Sequence, residues 1–213
     1  ECCKAGYAPD QFGNISQMPQ ILSNFGINNF VFGRGFSLHK KDDEIPNPLP
    51  TEFIWRGADG TEALAIHMKH WYNNAQRFSS DIEKAKKLVE SIEKGFENIA
   101  LTPYLLLMNG VDHLEAQHDL LPILDILNES GLNGQIMQMR MDEYINKVKK
   151  YVEDNSISLF THTGELRSGC DGEILQGTLS SRHYLKVANV RAQNMLECRL
   201  EPLYSMLEAA GCN

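Results

Sequence analysis

The pattern of apolar and polar residues predicts strands and helices that alternate along the chain. Short apolar runs predict β-strands at residues 3–8, 28–34, 51–57, 63–68, 103–108, 135–139 and 157–161. Apolar residues at helical spacing predict α-helices at residues 16–25, 82–96, 114–127 and 142–152, and one long helix over 180–210. This alternation is typical of a mostly parallel sheet covered by helices, so we predict an α/β fold.

Four local signals add detail to these elements. The Ala58-Asp59-Gly60 turn predicts a hairpin between the third and fourth strands, because Asp-Gly favours tight hairpin turns. Ser80 and Glu83 match a capping box at the start of a helix. Residues 103–108 are continuously apolar, which predicts a strand buried on both faces. Pro202 predicts a kink in the last helix.

The pattern changes after Arg167, where a glycine-rich loop is followed by helical periodicity alone. We predict an α/β domain over residues 1–170 and the beginning of an α-helical bundle over residues 171–213, with the boundary inside residues 168–178.

Composition and charge narrow the class of protein. The chain has 213 residues and a formal net charge of −8, which argues against a nucleic-acid binder. No apolar run reaches the ~20 residues of a membrane span. Five scattered cysteines without a CxxC pair favour reduced thiols and a cytoplasmic location. The first residue is Glu1, so we expect the natural N-terminus to lie upstream. Homo-oligomerisation is left open.

Three acidic residues follow predicted strands: Asp10, Asp112 and Glu165. Active sites of parallel α/β folds lie at the carboxyl ends of the strands, although any one of these acids also suits a helix N-cap or a turn. A facing pair of carboxyls is what glycoside hydrolysis requires. Asp10 and Asp112 lie far apart in the sequence, so only the fold can bring them together.

Five segments, in order along nearly the whole chain, resemble the bacterial α-mannosidases of glycoside hydrolase family 38. PDQFGNISQMPQIL resembles their nucleophile segment, and NGVDHLEAQ their acid/base segment. NFVFGRG is similar to their arginine strand and IWRGADGTEALAIHM to their strand pair. TLSSRHYLKVANVRAQNMLE is similar to the entry into their helical bundle. The resemblance implies part of a (β/α) barrel-like catalytic domain that acts on mannose-containing carbohydrates.

The resemblance also implies roles for five residues in a retaining, zinc-dependent mechanism. Asp10 matches the nucleophile, which is also a zinc ligand, and Asp112 matches the general acid/base. Arg34 matches an arginine whose charge keeps the nucleophile ionised. Phe12 matches an aromatic that lines the sugar site, and Tyr72 a tyrosine that hydrogen-bonds the substrate.

His67 fits either the wall of that site or a structural histidine of the core. The family's other zinc ligands come from a His-x-Asp pair and a late His-Asp motif. The chain contains no His-x-Asp, and we interpret His118-Asp119 as a solvated helix face. We therefore expect the other three zinc ligands outside this chain.

These departures suggest an internal piece of a longer α-mannosidase that is inactive alone. Two alternatives stay open, a mannosylglycerate hydrolase of the same family and a non-catalytic carbohydrate-binding remnant.

Overall fold

The computed structural model describes residues 3–37, 46, 48–169, 174–175, 177–178 and 180–211. The chain divides into two compact units, Glu1–Ile174 and Leu175–Asn213. The domain boundary predicted at residue 170 lies outside the described residues, as do Cys2, Cys170 and Cys212. The predicted division into a catalytic domain and a helical bundle stays a prediction.

A five-stranded sheet organises the first unit. In chain order its strands are β1 (Tyr7–Ala8), β2 (Asn29–Phe32), β3 (Glu52–Arg56), β4 (Glu62–His67) and β5 (Thr161–Thr163). They lie in the order β1-β2-β4-β3-β5. The β1–β2, β2–β4 and β3–β5 pairs are parallel, and the β3–β4 pair is antiparallel. The predicted α/β fold with a mostly parallel sheet is therefore confirmed, whereas closure into a barrel stays a prediction.

The antiparallel pair is the predicted hairpin. Its turn places Gly60 at φ 88°, a conformation that glycine adopts without strain. The Asp59 carboxylate accepts hydrogen bonds from the Thr61 backbone N–H at 3.1 Å and from the Thr61 hydroxyl at 2.7 Å. These bonds lower the pKa of Asp59. The side chain thus closes the turn that fixes the register of the two strands.

Four helices of the first unit are described: α1 (Met18–Asn24), α2 (Ile82–Phe96), α3 (Leu120–Glu129) and α4 (Met141–Asp154). The predicted capping box at Ser80 is wrong, because the N-cap of α2 is Asp81, whose carboxylate accepts the Lys84 N–H at 3.3 Å. The helix predicted from residue 114 begins at Leu120 instead. The residues before it form a loop, in which the Gln117 amide bonds other backbone and side-chain groups.

The central strands β2, β3 and β4 are largely buried on both faces, which accounts for their mainly apolar residues. One face carries a mainly aromatic cluster: Phe30, Phe32, Phe36, Phe53, Trp55, Ala65 and Leu166. The other face packs against α4 through a second cluster: Val31, Leu64, Ile66, Met68, Tyr144, Ile145 and Val148. The alternation of Phe30, Val31 and Phe32 between the two faces is the two-residue period of a β-strand.

The strands predicted at residues 103–108 and 135–139 are wrong, and asparagine side chains explain why. Asn74 donates to the Leu106 carbonyl at 3.0 Å and accepts from the Met108 N–H at 2.7 Å. Asn128 pairs in the same way with both backbone groups of Ile136, at 2.9 and 2.8 Å. A side-chain amide offers one donor and one acceptor side by side, so it satisfies extended backbone where a neighbouring strand otherwise would.

Two further predictions shift. The segment 103–108 is half-buried rather than buried on both faces. The strand predicted at 157–161 is displaced towards the C-terminus, because β5 begins only at Thr161, where it pairs with Ile54.

The second unit is a helical run in three parts: α5 (His183–Met195), a π-helical turn (Leu196–Leu200) and α6 (Glu201–Ala209). Pro202 lies in the first turn of α6, directly after the π-helical turn. A proline has no N–H to donate and its ring crowds the carbonyl four residues earlier, so the wider turn relieves the clash. None of the residues in these three parts is buried.

Glu52 is a carboxylic acid buried in the first unit, with 2% of its surface exposed. It accepts hydrogen bonds from the Thr51 hydroxyl at 2.8 Å and from the Leu101 N–H at 2.9 Å. Burial raises the pKa of Glu52, and these hydrogen bonds oppose the rise. Burial and the charge of Glu52 also raise the pKa of Tyr144 on α4.

We expect Glu52→Gln to become more stabilising relative to the wild type as the pH rises above about 4.5. Because the pKa of the folded carboxyl is raised, the unfolded carboxyl ionises first, so the folded wild type binds more protons and loses stability with rising pH. Urea unfolding of both proteins between pH 4.5 and 7.5 measures the difference. Glu90→Gln, on the exposed side of α2, controls for loss of charge alone. A difference that does not change with pH would contradict the expectation.

Candidate active site

Three parallel strands deliver polar side chains to one edge of the sheet. Asp10 lies two residues beyond the end of β1, Arg34 two residues beyond β2, and Tyr72 in the loop after β4. A Cβ on Gly33 would lie 2.1 Å from the Pro9 carbonyl oxygen, so only glycine lets the ends of β1 and β2 approach so closely. The candidate site therefore forms at the carboxyl ends of the strands, as in other parallel α/β folds.

Asp10 and Arg34 form the ion pair at the centre of this edge. Arg34 Nε donates to Asp10 Oδ1 at 2.5 Å, and the two side chains are 16% and 34% exposed. The guanidinium carbon lies 4.5 Å from the ring centre of Phe12 and 4.4 Å from that of Trp71. The cation is thus covered by two aromatic rings and presents Nε to the carboxylate.

The Tyr72 hydroxyl lies within electrostatic range of Asp10, Asp112 and Arg34. Burial raises the pKa of its hydroxyl most, and the negative charges of Asp10 and Asp112 raise it further. A side-chain hydrogen bond between Tyr72 and Asp10 contributes in the same direction, and the Arg34 charge opposes the rise. The Tyr72 hydroxyl therefore stays neutral at physiological pH and can donate to the Asp10 carboxylate.

Asp112 lies in an exposed loop that is tied to the loop carrying Tyr72. Asn109 donates to the Ala75 carbonyl at 2.9 Å, and Gln117 donates to the Phe78 carbonyl at 2.8 Å. Arg77 and Glu115 join the same two loops through an ion pair of 2.6 Å. The structure thus brings Asp112 into electrostatic range of Tyr72 although it follows no strand.

The third acid predicted at a strand end, Glu165, pairs with Arg167. Glu165 follows β5, which runs opposite to β4. Its carboxylate is exposed and lies 3.4 Å from the Arg167 guanidinium. Beyond Glu165 the chain runs back across the sheet, where Leu166 bridges to Asn14 and Ser168 to Gly35.

His67 lies in the core beneath the site rather than in its wall. It is 7% exposed and its ring stacks on Phe32 with ring centres 5.1 Å apart. Its Nε2 lies 3.3 Å from the Gly33 carbonyl oxygen. His67 thus supports the strand end that carries Arg34.

The described part of the chain does not by itself fit a zinc site. Among those residues no group of three His, Cys, Asp or Glu side chains could hold a metal ion. A zinc site needs about four ligands, with nitrogen or sulfur among them. Asp10, the one predicted ligand, already contacts Arg34 and Tyr72. His118 and Asp119 are exposed, as predicted, but they lie just ahead of α3 rather than on it.

Sequence reasoning missed the residues that hold the site together. Trp71 covers Arg34, Asn74 fixes the extended segment that leads to Asp112, and Asn109 and Gln117 tie the two loops. The run HMKHWYNN offered one visible signal, an aromatic pair followed by two asparagines directly after an apolar strand. Its pairing with distant backbone groups is a property of the fold.

The site thus combines two carboxylates, a guanidinium and a tyrosine, and three of these four side chains follow parallel strands. Glycoside hydrolases use sites of this kind. A sequence profile of the glycosyl hydrolase family 38 N-terminal domain matches residues 1–165. The chain belongs to glycosyl hydrolase family 38.

Relatives with curated names agree with this assignment. A protein from Halalkalibacterium halodurans, provisionally named a mannosylglycerate hydrolase, is 33% identical over 95% of this chain and 23% of its own length. Alpha-mannosidase G of Dictyostelium discoideum is 28% identical over 46% of this chain and 9% of its own length. The chain thus spans less than a quarter of the length of either relative.

A solved structure shares the fold. The crystal structure of an alpha-mannosidase from Enterococcus faecalis V583 superposes with a TM-score of 0.69 and 30% identity. The match covers 79% of this chain and 18% of that one. In the described part of the present chain, no helix is both long and apolar enough to cross a membrane.

We expect Asn74→Ala to speed hydrogen exchange of the Met108 N–H by on the order of tenfold, because the variant loses the side chain that accepts this bond. Amide exchange followed by NMR measures the effect. Asn73→Ala is the matched control, since the Asn73 side-chain amide donates to the nearby Gln76 rather than to residues 106–108. Equal exchange in the two variants would contradict the role of Asn74.

Proposed function

We propose that this chain contributes the nucleophile and the general acid/base of a retaining α-mannosidase, and that a longer protein carries out the reaction. The observation that supports this most is that Asp10, Arg34 and Tyr72 follow three parallel strands and that Asp112 lies within electrostatic range of Tyr72. Retention requires two carboxyl groups with separate tasks, one nucleophile and one acid/base.

The environments of the two carboxylates support that division of tasks. Asp10 is half-buried and held by Arg34 and Tyr72, so its carboxylate is fixed in position. Asp112 is exposed, so it is open to a leaving group and to water. In the proposed first step Asp10 bonds to the anomeric carbon while the glycosidic bond breaks and Asp112 gives its proton to the departing oxygen. In the second step Asp112 takes a proton from water, whose oxygen displaces Asp10.

Arg34, Phe12 and Tyr72 have supporting roles in this proposal. The Arg34 charge stabilises the carboxylate form of Asp10. Phe12 is 46% exposed, so its ring is available to a sugar as well as to Arg34. Tyr72 has a neutral hydroxyl beside both acids and can hydrogen-bond a substrate hydroxyl.

Zinc stays part of the proposal for the longer protein. Asp10 would supply one ligand, and the other three would come from residues outside the described part of this chain. When bound, zinc would act as a Lewis acid and template for sugar hydroxyls. None of the steps given for Asp10 and Asp112 uses it.

A mannosylglycerate hydrolase is the second candidate, because the relative with that provisional name matches 95% of the chain. Hydrolysis of mannosylglycerate and of an aryl α-mannoside by the longer protein would be compared through kcat/KM. A non-catalytic carbohydrate-binding remnant is less well supported, since such a module would have no reason to keep two carboxylates around Tyr72.

We also propose a cytoplasmic location. Cys3 and Cys198 are exposed free thiols, the form that a reducing compartment maintains.

In the longer protein we expect Asp10→Ala to abolish turnover, because no other group can form the covalent bond to the sugar. Asp112→Ala should lower kcat/KM by about 10²–10⁴-fold for substrates with poor leaving groups. The loss should be smaller for a dinitrophenyl mannoside, whose leaving group needs no proton. NMR of the first-formed sugar anomer should show retention. Inversion, or equal losses with both leaving groups, would contradict the assignment.

The two variants should also differ in metal content. Asp10→Ala should weaken zinc binding, whereas Asp112→Ala should keep the metal, because only Asp10 is proposed as a ligand. Metal analysis of the purified longer protein measures this. Loss of zinc from Asp112→Ala alone would overturn the assignment of the two roles.

The 213-residue chain by itself should not hydrolyse an aryl α-mannoside, even with added zinc, because its described residues do not complete a metal site. A release assay for the aryl alcohol tests this. Clear turnover would defeat the view that the catalytic site needs a longer protein.

A further inference from the structure

Trp71 contacts the centre of the candidate site and has no role in the proposed function. Its ring centre is 4.4 Å from the guanidinium carbon of Arg34, and Phe12 covers the cation at 4.5 Å. A guanidinium carries its N–H donors at its edges and attracts aromatic rings to its faces. Two covering rings therefore leave the edge, where Nε meets Asp10, as the direction open to a hydrogen bond.

The backbone of Trp71 is in an unfavourable conformation that the surrounding structure maintains. Its φ is 72°, in the left-handed region that bulky residues rarely adopt. The Trp71 N–H donates to the Met68 carbonyl at 2.8 Å, which closes a tight turn after β4. Strained positions of this kind cluster at functional sites, where the fold holds a side chain in a required place.

Gly33 makes room for this arrangement. A Cβ on Gly33 would lie 3.6 Å from Cζ3 of Trp71 and 2.1 Å from the Pro9 carbonyl oxygen. The indole thus packs over the strand end from which Arg34 extends. The indole also contacts the ring of the next residue, Tyr72, with ring centres 5.2 Å apart.

We propose that Trp71 is a positioning residue: with Phe12 it holds the Arg34 guanidinium on the Asp10 carboxylate. Its consequence for catalysis rests on the proposed function, in which Asp10 is the nucleophile. Without the indole, Arg34 gains freedom to leave Asp10 for water, and the carboxylate loses its fixed partner.

The direct test observes the Arg34 side chain in the 213-residue chain by ¹H–¹⁵N NMR. The Nε–H of Arg34 should give a slowly exchanging signal, displaced from the chemical shift of a free arginine by the Asp10 hydrogen bond and the two rings. Arg34→Lys, which has no Nε–H, identifies the signal by its loss. In Trp71→Leu the displaced chemical shift and the slow exchange should both be lost, whereas Trp71→Phe should retain most of each.

Phe25→Leu is the matched control, because Phe25 is an exposed aromatic in the loop after α1. It should leave the Arg34 signal unchanged. Circular dichroism shows whether each variant folds, and Trp71→Phe keeps the test decisive if Trp71→Leu does not. An unchanged Arg34 signal in folded Trp71→Leu, or loss of the shift in Trp71→Phe equal to that in Trp71→Leu, would overturn the proposal.

Kinetics of the longer protein separate this inference from the proposed function. Trp71→Leu should lower kcat/KM by on the order of tenfold, with substantial recovery in Trp71→Phe. If the NMR signal is lost but kcat/KM is unchanged, Trp71 positions Arg34 and the catalytic role proposed for the ion pair is wrong. If kcat/KM falls while the signal is unchanged, the positioning role is wrong.

Discussion

The candidate site depends on the parallel pairing of β1, β2 and β4. Parallel strands end at one edge, so Asp10, Arg34 and Tyr72 meet there although they are distant in the sequence. A slip of one residue between β1 and β2 would turn alternate side chains to the opposite face and separate the ion pair. This register requires glycine at position 33, since any side chain there would collide with the Pro9 carbonyl. The antiparallel β3 and the outer β5 supply core and hydrogen bonds, and no residue of the cluster comes from them.

The two carboxylates at this edge of the sheet differ in their electrostatic surroundings. The charges of two carboxylates and one guanidinium act on the Tyr72 hydroxyl, and the guanidinium forms an ion pair with Asp10. Partial burial strengthens that pair, because fewer water molecules compete for its hydrogen bond. Asp112 stays in contact with solvent. Two carboxyl groups of the same chemistry thus receive different surroundings, the physical condition for dividing the work between a nucleophile and an acid/base.

The sequence allowed most elements, the hairpin and the position of Asp10 after a strand to be predicted, because hydrophobic period and turn chemistry are local properties. It misled at residues 103–108 and 135–139, where apolar runs looked like strands. Extended backbone joins a sheet only if a neighbouring strand takes up its hydrogen bonds. Here the side chains of Asn74 and Asn128 take up those bonds instead. The contact between the Trp71 ring and Arg34 could not be predicted either, because this contact and the positive φ of Trp71 arise only in the folded chain.

One short loop physically links the two carboxylates. Trp71 covers the partner of Asp10, Tyr72 bonds Asp10 itself, and Asn74 holds the backbone that leads to Asp112. The loop continues to Phe78, whose carbonyl accepts from Gln117 beyond Asp112. Each acid is therefore positioned against the same stretch of backbone rather than against the other acid. A shift of this loop would move the surroundings of both groups together, so their spacing depends on the turn that ends at the strained Trp71.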